Sequence, residues 1–318
     1  MSLTIDLIIK KKISYNLLVK TIKDFGFRKN GRETYFFYEE KDFLSFSSIE
    51  LYIHFSDNNT EIHTRTSGLR YSYDIEKQKE IIKILKNKFG GYIKNDWPLN
   101  SWKDVNYSAI ERACGLSYHK FQMSKMRVLR MIHGLKDDID DEEYFYFISL
   151  MDPSSNYINL IIPFLISSLE DFLKTFFIRY LNYSKISKLD NENKIDKRLS
   201  YNELIKISNG DLTLGELISE KYNFQNIKNI NEAYKEFTGY KFTDIINKKR
   251  KVESGKFYNL KNELNRIIEL RHTIIHEAEY IHITKKELID IYDVVFKCGE
   301  EFVKYIEEKE NIKLDLNK

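Results

Sequence analysis

The sequence predicts a protein of two parts, an α+β N-terminal domain followed by an all-α helical bundle, and a mainly helical chain overall. Three observations support this fold class. The 318 residues include only 12 glycines and 3 prolines, which suits long helices joined by short turns. Strand-like patterns are confined to the chain before Trp97, whereas apolar residues at helical spacing dominate beyond Asn156.

The N-terminal part shows the order helix, three strands, helix. Helical spacing predicts helices over Tyr15–Phe25 and Tyr73–Phe89, the second closed by a pair of glycines. Between them, three stretches have strand character: Glu33–Glu39, Ile49–Phe55 and Thr60–Thr66. The same order occurs in double-stranded-RNA-binding domains and in many other small folds, and no motif selects among them. We therefore expect a small α+β domain that senses or docks a partner.

Domain boundaries follow from a break at Trp97-Pro98-Leu99-Asn100. We expect the α+β domain to span residues 1–98. A helical connector follows over residues 99–140, with a helix at about Tyr118–His133. The helical domain then occupies residues 141–318.

Within the helical domain, the apolar spacing predicts three long helices. They are Asn156–Tyr180, Phe257–Glu279 and Lys285–Glu308. Residues 184–256 are more polar and less regular, and the acidic stretch Asp137–Glu143 is expected to lie in water.

Composition limits the classes of function. The net charge is only +3 with 31% charged residues, which argues against a chain wholly dedicated to coating nucleic acid. Cys114 and Cys298 match no metal or redox spacing. The N-terminus has no leader pattern, and the longest apolar stretch, Ile158–Leu169, is too short to span a membrane. These features predict a soluble, cytoplasmic protein with no membrane partner.

The helix predicted over Phe257–Glu279 carries an unusual arginine. Arg271 lies near the middle of its apolar face, within about 20° of Leu264 at 100° per residue. The other members of that face are Phe257, Leu260, Ile268 and Ile275. A guanidinium keeps its charge and has five donors to satisfy, so its unpaired burial is costly. Arg271 must therefore meet a carboxylate, a carbonyl cluster, a subunit interface or an anionic ligand; the simplest alternative to a functional role is a salt-bridged core arginine.

Two histidines follow on the flank of the same helix. His272 and His276 are four residues apart, so their imidazoles share one side of the helix beside Arg271. The spacing also fits a helical zinc pair, with Glu277 or His282 as a third ligand. The zinc-protease motif, however, needs a glutamate directly after the first histidine, where this chain has Thr273.

The segment Arg271-His272-Thr273-Ile274-Ile275-His276 resembles the motif of HEPN-superfamily ribonucleases. Those proteins carry an arginine, then a polar residue, then a few residues and a histidine, on a late helix of a four- or five-helix domain. The resemblance covers about residues 140 to 310. It extends to Glu170 in an early helix, where many members have an acidic or polar residue. An alternative register pairs Arg266 with His272, but Ile267 would then hold the polar position.

The resemblance implies an endoribonuclease that needs no metal and no cofactor. The ribose 2′-OH attacks the adjacent phosphate, and histidines with an ordinary pKa of about 6.5 can transfer the protons. In this scheme His276 is the acid/base and Arg271 clamps the phosphate. His272 orients the phosphate or shares proton transfer, and Glu170 positions Arg271. HEPN enzymes usually build their groove from two facing copies, which implies a homodimer.

The resemblance also implies a biological setting. RNA is the expected substrate of such an enzyme. Toxin and abortive-infection systems against phage use enzymes of this kind, so that role is expected here, and an antitoxin or other regulatory partner is compatible with it. Some relatives have lost activity, which leaves an inactive RNA- or nucleotide-binding dimerisation module as the alternative.

A basic stretch agrees modestly with an RNA-binding role. The segment from Lys241 to His276 contains nine Lys and Arg residues and four Asp and Glu residues. The densest part is the candidate RNA-binding run Lys248-Lys249-Arg250-Lys251. Taken alone, this run favours a lysine-rich loop in solvent.

Overall fold

A computed structural model describes most of the chain and divides it into two compact units. The first unit ends at Arg112, and the second comprises Ala113–Asp315. The expected domain break at Trp97–Asn100 and the acidic stretch Asp137–Glu143 lie outside the described residues. The residues that the structure describes are 3–39, 43–45, 48–66, 72–94, 107–135, 153–184 and 200–315.

The first unit contains an antiparallel sheet and two helices. The helices are α1 (Tyr15–Asp24) and α2 (Ser72–Phe89). The strands run in the order β2-β3-β4-β5-β1-β6, and each neighbouring pair is antiparallel. The strands are β1 (Leu3–Ile9), β2 (Arg28–Lys29), β3 (Thr34–Phe37), β4 (Ile49–Phe55), β5 (Thr60–Thr66) and β6 (Tyr92–Lys94).

Strand β1 was not among the predicted strands, although its sequence carries the signal. Leu3, Ile5, Leu7 and Ile9 are buried and alternate with partly exposed residues, as expected for a strand with one face on a core. β1 pairs with β5 along its whole length and with β6 on its other side, so it lies inside the sheet. The predicted three-stranded order was therefore incomplete, and the observed six-stranded sheet does not follow the order helix, three strands, helix that was given for double-stranded-RNA-binding domains.

The second unit is mainly helical, as predicted. Its described helices range from one or two turns to about eight turns in length. They are α3 (Ala109–His133, beginning in the first unit), α4 (Pro153–Tyr183), α5 (Tyr201–Asn209), α6 (Leu214–Ser219), α7 (Ile227–Thr238), α8 (Phe242–Ile245), α9 (Leu260–His276) and α10 (Lys285–Glu310).

The core of the second unit is rich in aromatic side chains. Phe121 of α3 stacks on Phe172 of α4 at 4.7 Å between ring centres and lies 4.8 Å from Phe296 of α10. Gly299 makes this packing possible, because a Cβ at that position would collide with the Phe121 ring. Phe302 continues the cluster, 5.1 Å from Phe176.

Residues 200–256 are more regular than the sequence indicated. Four short helices occupy most of this region, and α5 and α6 each begin with a capping box in which a hydroxyl and a glutamate satisfy backbone N–H groups. A hairpin of β7 (Lys249–Lys251) and β8 (Phe257–Asn259) follows. The prediction missed this hairpin because its strands are three residues long and rich in charge. Among the described helices, none combines the length and apolarity needed to cross a membrane.

Candidate active site

The helix α9 begins where the hairpin ends. Leu260 N–H donates to the carbonyl of Lys248 at 3.0 Å, and the Asn259 side chain accepts from Asn262 N–H at 3.1 Å. This cap starts the helix at Leu260. The predicted start at Phe257 was therefore wrong: Phe257 is paired with Lys251 in the hairpin and its side chain is 69% exposed.

The buried face of α9 differs from the predicted apolar stripe, because it includes Ile267 and does not include Ile268 or Ile275. Leu260, Leu264 and Ile267 are buried, whereas Ile275 is 46% exposed. The spacing of the three buried residues continues one turn later at Arg271, which is partly buried. Arg271 thus lies at the end of the core-facing stripe, where the helix emerges towards solvent.

Arg271 is held by a carboxylate from another helix. Its Nη1 donates to Oε1 of Glu170, on α4, at 2.7 Å. The two side chains are only 17% and 14% exposed, although 101 residues separate them in the chain. The pair connects the early helix to the late helix, and it fixes the guanidinium at the edge of the core.

The pair is not a fully satisfied ion pair. Burial raises the pKa of Glu170 above its ordinary value, against the opposing effect of the Arg271 charge. In the described part of the chain, Nη1 is the one guanidinium atom of Arg271 with a hydrogen bond. The remaining N–H groups are available to a second anion.

His272 and His276 lie beside Arg271 at the end of α9. Their ring centres are 4.7 Å apart with an angle of 40° between the planes. Both side chains are exposed, and α9 ends at His276. The last turns of α9 therefore present one held guanidinium and two accessible imidazoles within a short distance along the helix.

The alternative register with Arg266 has different surroundings. Arg266 is exposed, and its Nε donates to Glu263 Oε1 at 2.8 Å, three residues earlier on the same helix. Such a pair on a helix surface is local and contributes little to the fold. Arg266 has no connection to α4 comparable to that of Arg271.

Residues 135–308 match the family model of RiboL-PSP-HEPN, and this span contains α9 together with both partners of the Arg271–Glu170 pair. The chain belongs to this family. A HEPN-type helical domain in the C-terminal half is thereby confirmed, as is the fold class of an α+β region followed by helices. No curated protein and no solved structure matches the chain.

Three of the four residues of the basic run, Lys249–Lys251, form the strand β7 and not a loop. Arg250 donates to both carboxylate oxygens of Glu301, on α10, at 2.8 Å each, and Lys248 Nζ lies 3.4 Å from the same carboxylate. Lys249 and Lys251 are exposed and lie on the opposite face of β7 from Arg250. The structure thus divides the run, because two of its residues engage the fold and two point to solvent.

The hairpin is anchored further by two other carboxylates of α10. Asp290 accepts from Lys256 Nζ at 3.0 Å and from the Tyr258 hydroxyl at 3.1 Å. Asp293 accepts from Glu253 N–H at 2.6 Å. These residues were not predicted from the sequence; their signal was the presence of acidic side chains on the otherwise apolar face of α10.

Asn159 is a second feature that the sequence analysis passed over. Its side chain donates to the Ile281 carbonyl at 2.9 Å and accepts from the Ile281 N–H at 3.1 Å. This buried amide ties α4 to the segment that follows His276. The local pattern does not single out Asn159, because its partner is 122 residues away in the chain.

The arrangement of the described side chains does not support the alternative of a zinc site on α9. Throughout the described ranges, no group of three His, Cys, Asp or Glu side chains is arranged to hold a metal ion. Neither Glu277 nor His282 therefore completes a site with the two histidines of α9.

Proposed function

We propose that this protein is a metal-independent endoribonuclease whose active site is formed by Arg271, His272 and His276. The observation that carries the proposal is the end of α9, where a guanidinium fixed by Glu170 at 2.7 Å lies beside two exposed imidazoles whose centres are 4.7 Å apart. This set combines a fixed cation for phosphate with groups that transfer protons at neutral pH.

The reaction uses a nucleophile that RNA itself supplies. His276 removes the proton from the ribose 2′-OH, and the 2′-oxygen attacks the adjacent phosphorus. The free N–H groups of Arg271 hold the phosphate oxygens as negative charge develops on the phosphorane. The bond to the 5′-oxygen then breaks, and that oxygen leaves with a proton donated by an imidazolium, a transfer that His272 shares. The products are a 2′,3′-cyclic phosphate and a 5′-hydroxyl.

Glu170 acts through Arg271 as a positioning residue. An arginine on a flexible stem loses conformational freedom when it binds phosphate, and a fixed carboxylate partner reduces that loss in advance. The pair also leaves one face of the guanidinium free, because a single hydrogen bond joins Arg271 to Glu170.

We propose that two copies form the active groove. Three exposed apolar side chains of α4 lie near the motif at positions i, i+3 and i+7, so they share one face of the helix, and a continuous exposed apolar surface is typical of an interface. On α4 the exposed residues are Tyr157 at 56%, Leu160 at 65% and Phe164 at 45%, and on α9 Ile275 is 46% exposed. Asn159 binds Ile281, so this part of α4 lies beside the segment that follows α9.

The homodimer is tested by sedimentation of the full chain. The wild-type protein should sediment at twice the monomer mass, and Leu160→Glu should convert it to monomers with loss of cleavage. Leu204→Glu is the matched control, because Leu204 is 49% exposed but lies on α5. A wild-type monomer with full activity would contradict the shared groove.

The proposed biological role is the one that the family resemblance implies. An RNA-cleaving enzyme of this type would act as a toxin or abortive-infection effector in antiphage defence, in the cytoplasm where its RNA substrate resides. Such an enzyme would be restrained by an antitoxin or another regulatory partner, and the N-terminal α+β unit is the candidate sensing or docking element.

Incubation of the purified protein with total RNA in EDTA tests the central proposal. Cleavage should persist, and the fragments should carry 2′,3′-cyclic phosphates and 5′-hydroxyls. Their 3′-ends should resist ligation until the cyclic phosphate has been opened and the resulting phosphate removed to leave a 3′-hydroxyl. Loss of all cleavage in EDTA with recovery on addition of one divalent ion would contradict the mechanism. A folded dimer that binds RNA without cutting it would favour the inactive binding module.

A further inference from the structure

A cavity of about 510 Å³ lies beside His272, between α9 and the start of α7. Its wall on α9 consists of Ile268, Glu269, His272 and Thr273, and its wall on the other side consists of Gln225, Asn226 and Ile227. This volume lies in the range of small-molecule sites, and it is open to solvent next to an imidazole of the proposed active site.

The lining of the cavity excludes a phosphate pocket and suits a planar polar ring. Among the described residues, no lysine or arginine lines it. Ile227 and Ile268 provide apolar surface, while Glu269 has no ion pair in the described part of the chain. An anion placed there would be repelled by the Glu269 carboxylate, whereas a neutral group with N–H donors would pair with it.

The neighbouring amides add groups that can read a ring edge. The Asn226 side-chain oxygen already accepts from Lys228 N–H at 2.8 Å, which leaves its NH₂ group to face a ligand. Gln225 brings a second carboxamide, and Thr273 brings a hydroxyl from α9. The cavity therefore combines a carboxylate with two acceptor oxygens, two side-chain amides and an apolar wall.

We propose that this cavity is a base-recognition subsite that takes guanine from a nucleotide flanking the scissile phosphate. The inference rests on the proposed function, because the flanking position is defined by the reaction at His276. Specific recognition of RNA commonly targets single-stranded bases, which are read on their Watson–Crick edges and packed against side chains.

The carboxylate of Glu269 determines the choice of base. Guanine presents two adjacent donors, N1–H and the N2 amino group, which match the two oxygens of a carboxylate. Cytosine and adenine each present an amino group beside a ring nitrogen that is an acceptor and would face the carboxylate unfavourably. Uracil has a single N–H between two carbonyls. A matched bidentate contact of this kind discriminates between bases by about 1–3 kcal/mol, or roughly tenfold to a hundredfold in rate.

The first measurement uses DNA oligonucleotides that contain one ribonucleotide, so that cleavage can occur at a single known phosphate. The base on each side of that phosphate is varied in turn, and kcat/KM is compared. We expect a preference for guanine over uracil of roughly tenfold or more at one of the two positions. Glu269→Gln should remove the preference, whereas Glu232→Gln, an exposed glutamate of α7 outside the cavity, should retain it.

The second measurement separates this inference from the proposed function. Binding of guanosine 3′-monophosphate and uridine 3′-monophosphate to the full chain is followed by NMR, with inorganic phosphate as competitor and thermal unfolding as a fold control. If no oligonucleotide is cut but guanosine monophosphate binds and Glu269→Gln abolishes that binding, the nuclease proposal fails and the subsite stands. Cleavage without a base preference, or with an unchanged preference in Glu269→Gln, would overturn the subsite alone. Equal binding of both nucleotides with displacement by phosphate would overturn it as well.

Discussion

Arg250 and Arg271 are both paired with a glutamate of a long helix, and the two pairs are built differently. Arg250 uses Nε and Nη2 on Glu301 and Nη1 on the Lys249 carbonyl, so each guanidinium nitrogen has a partner. Arg271 uses only Nη1, on Glu170. The first arginine is committed to the fold, whereas the second is fixed in place with donors to spare.

The two carboxylates differ in the same sense. Hydrogen bonds from Arg250 lower the pKa of Glu301, which stabilises its charged form. Burial raises the pKa of Glu170, and the single contact with Arg271 does not offset that effect. A site that must accept an additional anion benefits from an ion pair that is incompletely neutralised, while a pair that anchors a hairpin does not. The hairpin pair uses its donors within the fold, whereas the α9 pair keeps the free donors that the proposed chemistry requires.

The largest expected effect is that of His276→Ala. Because His276 is the proposed acid/base, we expect the rate of RNA cleavage to fall by about 10²- to 10⁴-fold. The side chain is exposed at the end of α9, so the free energy of unfolding should change by about 1 kcal/mol at most. Cleavage of a fluorogenic RNA in EDTA and chemical denaturation measure the two quantities.

His282→Ala is the matched control for this variant. His282 is exposed and lies after α9 and outside the proposed site, so its replacement should leave the cleavage rate unchanged. A folded, dimeric His276→Ala protein that cuts RNA at the wild-type rate would refute the assignment. The register of Arg266 and His272 would then be the next to test.

Replacement of the two arginines sharpens the comparison directly. Arg271→Ala should abolish cleavage and cost about 1–3 kcal/mol of stability, because it leaves Glu170 largely buried without its partner. Arg250→Ala should cost about 1 kcal/mol, since Lys248 remains near Glu301, and should leave the chemical step unchanged. Chemical denaturation and RNA cleavage of the two variants are measured in parallel. Equal loss of cleavage in Arg271→Ala and Arg250→Ala would contradict the different roles given to the two ion pairs.

The two glutamates should respond to pH in opposite directions. Glu301 has a lowered pKa, so its contribution to stability is present above the unfolded-state pKa and is lost as pH falls through the folded-state value. Glu170 has a raised pKa, so its unfavourable charged form is relieved as pH falls through its folded-state value. The stability difference between wild type and Glu301→Gln should therefore shrink on acidification below about pH 5, whereas that between wild type and Glu170→Gln should shift in favour of wild type.

Urea denaturation of the wild type and both variants at a series of acidic pH values measures these slopes. Slopes of the same sign for both variants would show that the two ion pairs are alike in their electrostatics, contrary to the distinction drawn from their hydrogen bonds.

The smallest expected effect concerns the exposed lysines of β7. Lys249→Ala should weaken RNA binding slightly and reduce the slope of log K against log salt by about 0.7, the value for one contact with single-stranded phosphate. Lys206→Ala, on α5, is the control and should leave the slope unchanged. The measurement is RNA binding to the His276→Ala background over a range of salt concentrations. An unchanged slope in Lys249→Ala would assign the whole basic run to the hairpin.

Much of the candidate site could be read from the helical pattern. The spacing of Leu264 and Arg271 predicted an arginine on the core-facing side of a late helix, and the four-residue interval predicted that His272 and His276 share a flank. These are local properties, since an α-helix fixes the directions of its own side chains.

The hydrogen-bond and ion-pair partners of the buried polar residues could not be predicted from local sequence patterns. The amide of Asn159 meets Ile281 over 122 residues, and Arg250 meets Glu301 over 51. The sequence shows that a buried arginine or amide needs a partner, but many carboxylates and carbonyls could satisfy it. Glu170 was named only through the family resemblance.

The sequence by itself therefore determined the two-part fold class, the long helices α4, α9 and α10, and the placing of Arg271 beside two histidines. Tertiary structure alone decided that β1 joins the sheet between β5 and β6, that Lys249–Lys251 forms a strand of a hairpin, and that a cavity opens beside His272. The physical reason is the range of the forces involved. Helical periodicity and capping act within a few residues, whereas strand pairing, ion pairing and cavity shape depend on which distant segments are packed together.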